Sequence, residues 1–147
     1  MTSDIVSLKL GLNSCYLIRG KALIMIDGGM PNKLRIFKRI PFPKFKPDIL
    51  ITDKPFPLTE YGINGNIIHT PGHTLGSISV ILDSGEAFVG CMAHDGLPFR
   101  IRPGLPIYAQ DIVAIKESWR LLIDKGAKMI YPGHGNPFPV KIIKKYL

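Results

Sequence analysis

The chain has 147 residues, 46% hydrophobic and 20% charged, with a formal net charge of +8; this is enough for one domain with its own core and excludes two. No apolar run approaches the roughly 18 residues of a membrane span, and the opening MTSDIVSLKL lacks the basic region and apolar stretch of an export signal, so the expectation is a cytoplasmic protein with no membrane partner. Two cysteines in that compartment fit reduced thiols or a metal ligand better than a disulfide, and with four histidines they are all the chain has for soft metal chemistry.

In chain order, residues 4–10 alternate as a strand, with Ile5, Leu8 and Leu10 apolar, and residues 11–14 read as a turn. Residues 15–18 and 22–26 form two apolar strands joined by a tight turn at 19–21, and Asp27, Gly28 and Gly29 end the second. Asn32 caps a short helix predicted over 33–40, where Ile36, Phe37 and Ile40 share a face, and a Pro-rich piece at 41–47 closes it. DILIT at 48–52 is a continuous apolar run suited to a strand buried on both faces. From 54 to 65 two prolines and two glycines predict a loop with a short strand.

Strands at 66–69 and 77–82 then flank the turn TPGHT, which presents His73 between Gly72 and Gly76. A histidine in a Gly/Pro turn between strands occupies a loop positioned by a rigid sheet, where function usually sits. A hairpin turn at 83–85 leads to a strand at 87–89 and then to a long loop from Cys91 to Ala109, which carries His94 and Asp95. The clearest helix covers 110–125, with Ile112, Ile115, Trp119, Leu122 and Ile123 on one stripe and Asp111 and Gly126 at its ends. A buried strand at 128–131 runs into a second histidine held between glycines, His134, and a short basic helix over 140–147 ends the chain.

The pair TPGHT at 70–74 and YPGHG at 131–135 resembles the metallo-β-lactamase-fold hydrolases, supported in the same order by IDGG at 26–29, ILIT at 49–52 and FVG at 88–90. The resemblance covers nearly the whole chain. It implies an α+β fold, a truncated metallo-β-lactamase-like αββα sandwich over residues 1–147, with a site at one edge of its two sheets. The family's principal ligand motif, HxHxDH, is absent near 53–58: Asp53 is followed by Lys54, Pro55, Phe56 and Pro57, and no histidine precedes His69. The family also has Gly-Asp where this chain has Gly90 and Cys91. A cysteine there is compatible with metal but not with a carboxylate-bridged pair of ions, because one thiolate and two histidines cannot close two coordination shells.

On this resemblance His73, Cys91 and His134 are the expected metal ligands, for one zinc, or iron or manganese, or for no ion at all if they are relics of an ancestral site. Cys91 reads equally as a small buried residue at a strand end. His94, Asp95 and Asp53 are candidates to complete a coordination shell or to serve as acid or base, and no catalytic residue is assigned. His69 lies within a strand and is read as structural, and Cys15 as core. The expected function is a degenerate hydrolase-fold protein with at most a mononuclear site and weak or no hydrolysis. The alternative is a non-catalytic module that binds a small ligand or a partner in the old cleft. A homodimer is expected to cover surface exposed by the missing segment. A nucleic-acid partner is the third reading, drawn from the charge and the nucleases of the family, but the basic runs at Lys33–Lys46 and Lys141–Lys145 read as solvated faces.

Overall fold

In the computed structural model, which describes residues 4–10, 13–26, 54–95 and 102–147, successive residues of the central strands enter two different cores. Side chains alternate across a strand, so a strand that is apolar at consecutive positions needs cover on both faces. Strand β6 (Ile78–Leu82) meets this demand: Val80 and Leu82 join one buried cluster with Tyr16, Ile18 and Phe88, and Ile81 joins another with Val89, Ile115, Trp119 and Leu122. Ile67 and Ile68 of β5 (Gly65–His69) divide between the same two clusters, as do Tyr131 and Ile130 of β8 (Met129–His134).

The first cluster lies between two sheets. One is an antiparallel sheet in which β1 (Asp4–Leu10) pairs with β2 (Asn13–Arg19) and β2 with β3 (Leu23–Ile26). The other, among the described residues, has six strands in chain order: β4 (Phe56–Pro57), β5, β6, β7 (Glu86–His94), β8 and β9 (Phe138–Pro139). All neighbours in it are antiparallel except β7 and β8. A parallel pair needs a crossover, and the connection carries helix α1 (Ile112–Asp124) onto the outer face of the large sheet. Asp111 caps this helix, its carboxylate accepting from the Val113 and Ala114 amides at 2.8 and 2.9 Å. The mixed α and β sandwich expected from the sequence is therefore present, with two sheets and one helical layer among the described residues.

Several expectations are corrected. The loop expected from Cys91 begins only after His94, because β7 continues alongside its parallel partner. Strand β8 likewise runs on to His134. The C-terminal segment Val140–Tyr146 is a 3-10 helix, and the segment around 54–65 holds a 3-10 turn at Thr59–Tyr61 besides the short β4. The expected turn at 27–29, helix at 33–40, strand at 48–52 and the candidate Asp53 lie outside the described residues.

Candidate metal centre

Because β6 is antiparallel to both β5 and β7, and β8 is parallel to β7, the C-terminal ends of β5, β7 and β8 share one end of the large sheet. His69, His94 and His134 close these three strands. In a regular strand Cys91 and His94, three residues apart, would point to opposite faces. The β7–β8 register shifts on both sides of Gly90 and recovers at the pair His94 and His134, and such an irregularity reverses the alternation. Gly90 adopts a φ of 53°, and a Cβ on Gly133 would stand 3.0 Å from the Gly90 carbonyl carbon, so the two backbones meet closely where the shift occurs.

The result is a cluster of three soft donors. The Sγ of Cys91 lies 3.3 Å from Nε2 of His134, and the rings of His94 and His134 meet edge to face with centroids 4.8 Å apart. One potential ligand atom from each of Cys91, His94 and His134 lies within 4.8 Å of the other two. His134 is 1% exposed and His94 7%, whereas Cys91 is half-buried and opens the group to solvent.

His73, expected to ligate, is not a member of this group. Its Nδ1 donates to the Tyr108 carbonyl at 2.9 Å, since a carbonyl only accepts, and this leaves the lone pair on Nε2. The loop that carries it is tied to the start of α1. The Asp111 amide donates to the Gly72 carbonyl at 2.9 Å and the Ser118 hydroxyl to the Pro71 carbonyl at 2.8 Å. A Cβ on Gly72 would meet Ile115 at 2.5 Å, which explains the glycine beside the histidine.

Asp95 is used as a structural clamp: its amide donates to the His134 carbonyl at 3.0 Å, and its carboxylate accepts from the Asn136 amide at 3.1 Å. His69 engages the Leu75 carbonyl through Nε2 at 2.7 Å, in keeping with a structural role, and Cys15 is buried in β2. Two phenols lie between the sheets next to Phe88. Burial pushes the Tyr16 hydroxyl above its ordinary range, opposed by the Ser14 hydroxyl and helped by Tyr131; burial and the Glu86 carboxylate do the same to Tyr131.

The donor set fits a metal ion. A tetrahedral zinc with bonds of about 2.3 Å to sulfur and about 2.0–2.1 Å to nitrogen places a sulfur and a nitrogen ligand atom ~3.5–3.6 Å apart, and the Cys91–His134 separation of 3.3 Å is a few tenths of an ångström shorter. Thiolate and imidazole are the ligands that select zinc over hard cations. Of the expected ligands, Cys91 and His134 fall in this cluster together with His94, a candidate to complete the shell, and His73 lies outside it; the register shift that turns His94 inward has no local signal in the sequence beyond Gly90.

No family model matches the chain. The "Beta-lactamase-like protein 2 homolog" of Drosophila melanogaster is 29% identical over 124 residues, covering 77% of this chain and 39% of that protein, so the chain spans well under half of this relative's length. An archaeal metallo-β-lactamase superfamily protein from Sulfolobus tokodaii superposes with a TM-score of 0.69 at 16% identity, over 100% of this chain and 86% of that one. A metallo-β-lactamase from Erythrobacter litoralis gives 0.58 at 17% identity, over 96% and 84%. At these identities the structural likeness is one of fold.

Proposed function

We propose that this chain, which has the metallo-β-lactamase fold without the HxHxDH motif, is a degenerate member of that fold with at most one metal ion, held by Cys91, His94 and His134, and with weak or no hydrolase activity. The observation that carries this reading is the convergence of the three donor atoms within 4.8 Å at adjoining strand ends. Three donors serve one ion and cannot close the shells of two. Zinc is the ion proposed, because the thiolate of Cys91 is soft; iron or manganese would meet a poorer match. When bound, such an ion acts as a Lewis acid and makes its water acidic.

What the chain's own residues supply beyond that is limited. The two buried imidazoles orient an ion, and half-buried Cys91 leaves a route for a ligand. The group of three includes no carboxylate to orient water, and one carboxylate oxygen of Asp95 accepts from the Asn136 amide. Positioning contributes several orders of magnitude to such reactions, so its loss supports weak turnover.

A non-catalytic binding role is the second reading. It is favoured by the exposed apolar side chains beside the His73 loop, Leu75 at 80%, Val113 at 69% and Tyr108 at 67% exposure. Leu23 and Met25, exposed on the outer face of the small sheet, support the homodimer as a further part of the proposal. Elemental analysis of the purified protein, with zinc titration and a screen of ester, thioester and phosphodiester substrates, tests the main reading. One ion per chain with slow or undetectable turnover is expected. Two ions per chain, or turnover typical of efficient enzymes, would overturn it, and no uptake of zinc would overturn the metal site at Cys91, His94 and His134.

A further inference from the structure

We infer that Tyr16 and Ser14 of β2 are positioning residues of the metal centre, coupling ion binding to the β1–β2 hairpin through their two hydrogen bonds and not through the packing between the sheets. The inference rests on the ligand set proposed above. His134 is flanked by Gly133 and Gly135, and two glycines leave its backbone with little intrinsic restraint. The restraint comes from outside. The buried Tyr16 hydroxyl donates to the Pro132 carbonyl at 2.7 Å, and the Ser14 hydroxyl donates to the Gly135 carbonyl at 3.1 Å. These two carbonyls bracket the Gly133 and His134 pair. Lys9 of β1 adds a hydrogen bond from Nζ to Oδ1 of Asn136 at 2.8 Å.

Residues 14 and 16 are two apart on one strand and so face the same way, toward the large sheet. The Tyr16 ring is itself fixed by Phe88 and Tyr131, with centroids 5.1 and 5.5 Å away, which aims its hydroxyl. The small sheet thus grips the backbone on both sides of one ligand, while Asp95 grips it from the large sheet. Groups that orient a ligand without touching the ion commonly change metal affinity about 10–100-fold. Coupling of this kind is reciprocal, so the ion must also hold the hairpin.

The test compares zinc affinity, by competition with a chromophoric chelator, in the wild-type protein and in Tyr16→Phe, Ser14→Ala and Ile18→Val. Ile18 lies on the same strand, fully buried in the core between the sheets, and serves as the control for a general loss of packing. Tyr16→Phe is expected to weaken zinc about 10-fold or more, and Ser14→Ala several-fold, within the range of such orienting groups. Cobalt(II) in Tyr16→Phe is expected to show displaced thiolate and ligand-field bands, and zinc is expected to slow amide exchange across β2 less than in wild type. Ile18→Val should lower the melting temperature and leave affinity and cobalt spectrum unchanged.

Wild-type affinity and spectrum in Tyr16→Phe, or equal weakening in Ile18→Val, would overturn this inference alone. If Tyr16→Phe fails to fold, Ser14→Ala decides by the same two readouts. Failure of the wild-type protein to bind either ion would overturn the proposed ligand set and this inference with it.

Discussion

Cys91 Sγ lies 3.3 Å from His134 Nε2 across the parallel pair of β7 and β8. Both residues therefore sit on a frame whose order is enforced by the α1 crossover and by packing on two faces. The clusters around Trp119 and around Tyr16 are built from apolar side chains independent of any ion.

Chelation is accordingly expected to leave the protein folded, unlike small zinc modules whose folding depends on the metal. The far-ultraviolet circular dichroism should be unchanged by a chelator. Adding zinc at about a thousandfold excess over Kd should stabilise by about 4 kcal/mol, read as a higher melting temperature. Collapse of the spectrum on chelation would show that the cores do not suffice.

Gly135 and Gly76 give opposite predictions. A Cβ on Gly135 would stand 1.6 Å from the Asp95 carbonyl oxygen, at a φ of 92°, whereas a Cβ on Gly76 would meet nothing within 4 Å. Gly135→Ala should destabilise by about 3 kcal/mol or more, since left-handed strain adds to backbone overlap, and should abolish zinc binding by displacing His134. Gly76→Ala should change stability by less than about 0.5 kcal/mol. Urea denaturation of both variants checks the contrast.

The buried phenols predict an alkaline limit. Each is neutral when protonated, and burial raises its folded pKa above the unfolded value of about 10. The unfolded chain therefore releases the proton first, so the stability is fully present below about pH 10 and is lost as pH rises through the folded values. The Ser14 hydroxyl moderates the effect at Tyr16, while the Glu86 carboxylate reinforces it at Tyr131. Unfolding midpoints measured from about pH 8 to 11 should fall at the upper end, and less steeply in Tyr16→Phe.

Much of this architecture is legible in the chain. Consecutive apolar residues such as Ile67 and Ile68, or Val80 to Leu82, announce strands covered on both faces, and the stripe from Ile115 through Trp119 to Leu122 announces the helix that covers one of them. Asp111 and Gly126 mark its ends. The sandwich and the strand-end placement of His134 follow from these signals.

The cluster of Cys91, His94 and His134 is only partly legible, for two physical reasons. Gly90 reads locally as a strand terminus, but the parallel partner β8 carries the strand on to His94 with a shifted register, and pairing between distant segments leaves no local trace. His73 reads as a ligand because its Gly/Pro turn resembles that of His134. It lies outside the cluster of three, and its Nδ1 donates to the Tyr108 carbonyl, 35 residues away, a contact set by how the segment before α1 folds back.

Zinc affinity and stoichiometry of His94→Ala beside His73→Ala, with circular dichroism to verify folding, test the central claim most directly. The account predicts one ion in the wild-type protein, a loss in His94→Ala beyond the roughly 100-fold range of outer-shell changes, and affinity within about threefold of wild type in His73→Ala. Loss of the ion in His73→Ala with retention in His94→Ala would contradict the assignment of Cys91, His94 and His134 as the site.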